Sequence, residues 1–470
     1  MKIFFINMLI FFIIFMAAIF YWGNKNNNKQ VGLGCQDCNL IIISLTNTRK
    51  DHLGIYGYKR DTSSNIDNFF NDALVFDNAF SPSPWTLPSA ASLMTSLFPW
   101  EHKVVNRYEE NKLPQGIKTL PEILKKSGYL TAGFTGGGDY SRQYGFDRGF
   151  TLYRDEKDFS KLSYYKEDII DWLEENYKNK FFLFLQGFDN HCPFNPSDQF
   201  KNKYTNSSST LDMKSCFWNL DDSKENLVFT KISENKDITY KYLNEQDRQK
   251  LIDYYDGGIT QMDNNIKEIL ETISSLRLEK NTIIILTSEH GDLIGEKGRF
   301  MRTDIIGAFQ DIVLNIPLII KHPSIDKKRE IKGLVQSIDI MPSILKLLNI
   351  YYDKNSLQGE SIIPLIVDNK KINDFVYAGL VYKGSKDSKF FNNIRISSMI
   401  RNLNYKLIHY QIFDLESLES LKNSYEFYDI DKDFNELNNN WTKIDFSKKG
   451  QELEKKLFII ENKIKEIFSL

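Results

Sequence analysis

The chain has 470 residues, and 60 Lys and Arg against 62 Asp and Glu leave a formal net charge of −2. That balance excludes a nucleic-acid binder working by bulk electrostatics, and 34 Phe with 24 Tyr exclude an intrinsically disordered chain. Four Cys are too few for a disulfide scaffold.

Residues 3–22 (IFFINMLIFFIIFMAAIFYW) come first. About 20 apolar residues at ~1.5 Å rise cross a ~30 Å hydrocarbon core, and Tyr21 and Trp22 suit the interface at its edge. No small-x-small cleavage site follows Ala17 and Ala18, so the segment is expected to stay as a single membrane span. Residues 23–30 (GNKNNNKQ) form a polar linker. The main domain is then expected to be periplasmic or extracellular, with the membrane as a partner.

Residues 39–44 (NLIIIS), 180–185 (KFFLFL) and 281–287 (NTIIILT) are short apolar runs, as in strands buried on both faces. Helical periodicity occupies 120–127, 166–177 and 246–276, and Gly257-Gly258 predicts a bend or split in the last. Residues 204–236, rich in Ser, Asn, Lys and Asp, predict an inserted surface loop. Residues 317–321 predict another strand and 337–348 another helix. Beyond about residue 373 come short polar strands at 405–409 and 426–430 and an amphipathic helix at 448–467. The predicted architecture is α/β: a three-layer sandwich with a large, mostly parallel sheet between helices, then a small C-terminal α+β subdomain with an antiparallel sheet. The expected division is 1–38 for anchor and linker, 39–372 for the α/β domain and 373–470 for the C-terminal subdomain.

In open parallel sheets, ligands bind beyond the carboxyl ends of the strands. Thr46, Asn47, Thr48, Arg49 and Asp51 follow the first run, Gln186, Asp189 and His191 the second, and Ser288, Glu289, His290 and Asp292 the third. Residues 83–92 (SPWTLPSAAS) enter a helix with Pro in its first turn, which puts Thr86 where free N–H groups and the helix dipole favour negative charge. This spacing suggests an oxygen-rich crevice for an anionic group or a hard cation.

At these residues the chain resembles the sulfatase family, within the alkaline phosphatase superfamily of metal-dependent sulfo- and phosphohydrolases. The resemblance runs in order from about residue 39 to the end. It is carried by NLIIISLTNTRKDHLGIYGYKRDTSSNID, FSPSPWTLPSAASLMTSLFP, FLFLQGFDNHCPF, YDGGITQMD, TSEHGDLIGEKG, QSIDIMPSILKLL and YEFYDIDKDFNEL. It implies hydrolysis or group transfer of a sulfuric or phosphoric ester borne by a small molecule, glycan or lipid. Thr86 falls at the nucleophile position, with Pro88 and Ser89 following. Since no Cys stands there, no formylglycine is expected. One divalent cation (Ca, Mg or Mn) would be held by Thr46, Asn47, Glu289 and His290, while His191 would protonate the leaving group or assist positioning. Arg49, Lys297 and Arg302 are candidate substrate contacts, although Lys297, Arg299 and Arg302 read first as a solvated loop face.

The chain departs from the family pattern in one direction. Thr46 stands where the family carries a ligand Asp, Ala90 where it carries a basic residue, Glu289 for the Asp of Asp-His-Gly, and Gln186 for a His. Neither His nor Lys occurs at Ile306-Gly307. Hard cations want anionic oxygens, so the alternative reading is a catalytically decayed pseudoenzyme acting as an envelope binding or partner module. Cys35 and Cys38 are left open between a local bridge and free thiols, and Cys192 and Cys216 would staple the inserted loop in an oxidising compartment.

Overall fold

The computed structural model describes residues 32–107, 111–205, 207–214, 216–219, 227–231, 238–301, 309–383, 393–441 and 448–466. Eight strands form the main sheet: β1 (Asn39–Leu45), β2 (Leu74–Phe80), β3 (Leu130–Phe134), β4 (Leu152–Arg154), β5 (Phe181–Gly187), β6 (Thr282–Thr287), β7 (Leu318–Lys321) and β8 (Arg329–Gln336). Their order is β8-β2-β7-β6-β1-β5-β3-β4. β1 pairs in parallel with both β5 and β6, so the three longest apolar runs lie side by side at the centre. β7 alone is reversed, antiparallel to both β2 and β6. A second sheet of four antiparallel strands follows: β9 (Val376–Lys383), β10 (Asn393–Arg401), β11 (Tyr405–Asp414) and β12 (Ser420–Asp429).

Alternate residues of β1 serve opposite faces, as the two-residue period of a strand requires. Ile41, Ile43 and Leu45 join a core with Leu251, Tyr255, Ile259 and Met262 of one helix layer. Leu40 and Ile42 join another core with Leu87, Leu93, Ile344 and Leu345 of the opposite layer. Each fully buried side chain of this size contributes about 1.5–3 kcal/mol relative to exposure.

The helices used below are α1 (Thr86–Thr95), α2 (Leu120–Lys126), α3 (Lys166–Asn176), α4 (Glu245–Ser275), α5 (Asp311–Leu314), α6 (Ile340–Leu347), α7 (Ile363–Asp368) and α8 (Lys448–Glu466). α2 and α4 start at capping boxes, Thr119 with Glu122 and Asn244 with Asp247, each satisfying backbone donors the helix leaves unpaired.

Three expectations are corrected. α4 runs unbroken through Gly257-Gly258. A Cβ at Gly258 would stand 2.5 Å from Asn190 Oδ1, and one at Gly257 3.0 Å from the Phe200 carbonyl, so the glycines admit close neighbours instead of bending the helix. The expected inserted loop, 204–236, contains strands Phe217–Asn219 and Leu227–Lys231, which form a small antiparallel sheet with Ile238–Tyr242 just beyond it. Among the described residues no helix is long and apolar enough to cross a membrane, which overturns the expected membrane localisation; the apolar segment 3–22 itself lies outside the described residues. Cys35–Cys38 and Cys192–Cys216 are both disulfides.

Ile42 touches the core from the central strand with no exposure. Ile42→Ala is expected to lower stability by about 2–5 kcal/mol and Ile42→Val by about 0.5–1.5 kcal/mol, read from urea unfolding midpoints.

Candidate active site

β1, β5 and β6 end at one edge of the sheet, and the turn after β2 enters α1 at that same edge. Ser81 N donates to the Leu314 carbonyl (2.8 Å) and the Ser89 hydroxyl to the Ser83 carbonyl (2.8 Å), fixing the entry. Pro82 and Pro84 remove two donors from this buried turn. Thr86 is the first residue of α1 and is fully buried.

The Thr86 hydroxyl does not cap its own helix. It lies 3.1 Å from His290 Nε2, while His290 Nδ1 lies 2.9 Å from the Gly291 carbonyl. A carbonyl only accepts, so Nδ1 carries a ring proton, and in the neutral ring this leaves Nε2 to accept from Thr86. The backbone behind the ring is held by two hydrogen bonds and leaves no room for a side chain at residue 291. Gly291 N donates to Val313 O (2.7 Å), the Ser288 hydroxyl donates to His290 O (2.9 Å), and a Cβ at residue 291 would meet Ile312 O at 2.6 Å. Only glycine fits between β6 and α5.

Each of the four expected cation ligands holds at least one partner within the protein. Thr46 accepts from Gln186 Nε2 (2.7 Å), and Gln186 in turn accepts from Gly136 N (2.9 Å). Asn47, in the left-handed region at φ 62°, aims its amide N–H at Asp292 Oδ2 (2.6 Å). Glu289 Oε1 accepts from both Ser44 (2.8 Å) and Tyr140 (2.6 Å). Burial raises the Glu289 carboxyl above its ordinary range, an effect those two hydroxyls partly offset. Burial and the neighbouring Glu289 likewise raise the Tyr140 hydroxyl. Among the described residues no three His, Cys, Asp or Glu side chains are grouped to hold a metal ion. Asn47 Oδ1, Glu289 Oε2 and Asp292 Oδ1 are buried without a hydrogen-bond partner, and hard oxygens of this kind are what a Ca, Mg or Mn ion takes, so these three residues fit a divalent cation although Thr46 brings no charge to it.

The expected substrate contacts are not gathered around Thr86. Arg49 is buried, with Nε and Nη2 on Asp51 (3.0 and 2.7 Å) and Nη1 on Glu296 (2.7 Å) and the Asp292 carbonyl (3.2 Å). Its guanidinium is committed inside the protein. Lys297 lies over the Tyr428 ring, its amine held below the usual range by burial. Arg302 lies outside the described residues. His191 follows β5, hydrogen-bonded to the Cys192 carbonyl (2.6 Å) and packed against Phe159 and Phe188.

Sequence reasoning missed Ser44, Tyr140 and Arg107. Tyr140 closes the Gly136-Gly137-Gly138 turn after β3, a strand-end signal of the same kind as those used. Arg107 stands over the Trp85 ring at 5.5 Å, immediately before Thr86, and grips Asp139 through Nε (2.6 Å) and Nη2 (2.8 Å).

Residues 38–350 match the Sulfatase family, and residues 306–463 match the N-sulphoglucosamine sulphohydrolase C-terminal family. The chain belongs to the sulfatase family. It is 24% identical over 407 residues to a sulfatase of Formosa agariphila, covering 76% of this chain and 78% of that one. It is 22% identical over 385 residues to an N-acetylgalactosamine-6-O-sulfatase of Bacteroides thetaiotaomicron, covering 69% and 75%. The fold is shared with a solved structure in complex with its substrate D-glucosamine-2-N,6-O-disulfate (TM-score 0.70, 18% identity, 91% of this chain and 98% of that one). It is shared too with the phosphonate monoester hydrolase of Agrobacterium radiobacter (TM-score 0.69, 16% identity, 90% and 95%). Sulfatases typically use a divalent cation; in this member Asn47, Glu289 and Asp292 would hold it, beside an uncharged Thr46.

A divalent cation at 100 times its dissociation constant would add about 2.7 kcal/mol to folding stability. Ca, Mg or Mn at millimolar concentration is therefore expected to raise the thermal midpoint of chelator-treated wild-type protein, and Glu289→Gln to remove most of that rise.

α5, whose carbonyls hold Gly291, is itself pinned from the second sheet. Asp311 meets Arg401 (2.8 Å) and Lys406 (2.8 Å), and Lys406 also meets Glu436 (2.6 Å), all four buried. Burial works against ionisation, but Arg401 and Lys406 prevail and bring the Asp311 carboxyl down to about 2. A depressed acid contributes stability that is present above its ordinary value near 3.8 and is lost as pH falls through about 2. Asp311→Asn is therefore expected to cost about 3–5 kcal/mol at pH 7, by leaving buried cations short of an anion. In urea midpoints this deficit should shrink between pH 4 and pH 2.

Proposed function

We propose that this sulfatase-family chain hydrolyses a sulfuric ester carried on a glycan, with Thr86 as nucleophile and His290 as its base. The observation that carries the reading is the 3.1 Å approach of Thr86 Oγ1 to an imidazole nitrogen whose tautomer is fixed by the Gly291 carbonyl. A hydroxyl activated by an adjacent, oriented base is the arrangement nucleophilic catalysis needs. The glycan assignment is supported by relatives named for N-acetylgalactosamine-6-O-sulfate and N-acetylglucosamine-6-O-sulfate esters.

The steps use this chain's own groups. Thr86 gives its proton to His290 Nε2 as Oγ1 attacks sulfur, and the S–O bond to the glycan breaks. His290 returns that proton to the departing glycan oxygen. Water then attacks the sulfur of the threonine sulfate, losing a proton to His290, and the S–Oγ1 bond breaks. The Thr86 hydroxyl is restored with that proton and sulfate leaves. The start of α1 supplies positive potential facing the sulfate oxygens. No step is routed through a cation.

A second reading is favoured by one observation: Thr46, Asn47 and Glu289 hold partners from within the protein. In that reading the crevice recognises a sulfate ester without turning it over.

With a chromogenic aryl sulfate, Thr86→Ala is expected to abolish turnover and His290→Gln to lower kcat by about 10²–10⁴-fold. Wild-type protein that binds the ester but yields no Thr86-dependent product would establish the second reading and remove the first.

A further inference from the structure

Another concave surface lies far from Thr86. It is a groove of about 750 Å³ between the end of α6, the following loop and α7, lined among others by Lys346, Tyr351, Lys354, Glu360, Lys370 and Lys371. That volume is within the range of ordinary ligand sites, about 300–1,000 Å³. The Cys35 amide, just upstream of β1, donates to Leu347 O (2.7 Å). The groove therefore adjoins the amino end of β1, whereas the crevice lies at its carboxyl end. Gln358 N and Gly359 N, on the groove's loop, bond Ser96 at the far end of α1. With its 10 residues at ~1.5 Å each, α1 alone separates that point from Thr86 by about 15 Å.

The charge of the groove is out of keeping with the chain. Four lysines line it against one glutamate, in a protein of net charge −2. Lys354 pairs with that glutamate, Glu360 (3.2 Å), and Lys371 with Asp374 (2.6 Å). Lys346 and Lys370 are exposed and form no ion pair among the described residues. Beside them Tyr351 is 91% exposed, the most exposed large hydrophobic side chain described. An exposed ring in the same groove as unpaired ammonium groups matches a sugar face flanked by anionic substituents.

We propose that this groove is a second carbohydrate site that holds a sulfated polysaccharide, with Tyr351 as the stacking platform and Lys346 and Lys370 on the sulfate groups. The choice of a sulfated chain over other polyanions rests on the function proposed above. A polymer bound there keeps further esters near the crevice at raised effective concentration.

The test is native affinity electrophoresis of the full chain in gels containing dextran sulfate or uncharged dextran. Wild-type protein is expected to be slowed by dextran sulfate only. Lys346→Glu with Lys370→Glu, and separately Tyr351→Ala, should each weaken that binding about tenfold or more, which is about 1.4 kcal/mol, while turnover of a small aryl sulfate stays at the wild-type level. Lys125→Glu with Lys126→Glu, exposed on α2, changes net charge equally and should bind as wild type. Equal loss in that control, undiminished binding in the groove variants, or no retardation of wild type would each overturn the proposal. So would capture of wild type by phosphatidylglycerol vesicles through Lys346 and Lys370 without retardation by dextran sulfate. Retardation requires no turnover, so a failure of Thr86-dependent hydrolysis leaves this test intact.

Discussion

A polar atom removed from water must find a proton, a charge or a partner, and the crevice is organised by that requirement. The protein meets part of it from within: the Thr46 hydroxyl by an amide, one Glu289 oxygen by two hydroxyls, one Asp292 oxygen by Asn47, while Asn47 Oδ1, Glu289 Oε2 and Asp292 Oδ1 are left without a hydrogen bond for a cation to meet. Leaving one such group unmet costs about 1–3 kcal/mol, so these replacements make sense only as a set. Gln186 in place of a histidine is one of them, since an amide both donates to Thr46 and accepts from Gly136. What survives unchanged in kind is the hydroxyl–imidazole pair.

The support for that pair comes from farther away than its own strand. The short helix at Asp311–Leu314 touches Gly291 through its carbonyls, and its first residue is tied to Arg401, Lys406 and Glu436 of the second sheet and the segment beyond it. Two acids and two bases shut away together balance in charge. Such a cluster contributes little net energy against an apolar equivalent but punishes the loss of any member. It therefore fixes where the second sheet sits relative to the crevice more than it adds to stability.

The central strands were legible because an all-apolar run of six or seven residues has few other uses, and the residues that follow them could be read as strand ends. β2 was not, since Asp77 and Asn78 interrupt Leu74–Phe80 and only its ends are buried. Leu227 and Val228 are buried too, but in a stretch so polar that its small sheet was hidden by composition. The Gly257-Gly258 pair misled because sequence shows that glycine is present without showing what approaches it. The placement of Thr86 beside His290 followed from strand-end logic; the commitment of Arg49 to Asp51 and Glu296 did not, because a buried arginine reads the same as an exposed one.

The reversed direction of β7 delivers Asp311–Leu314 to the crevice edge and leaves Asp311 facing the second sheet. Shortening the gene to end before that sheet would expel both countercharges at once and open the floor beneath Gly291 to solvent. The two sheets are thus inseparable at the bench: a minimal fragment comprising the larger one would carry an orphaned acid at the spot that steadies its histidine.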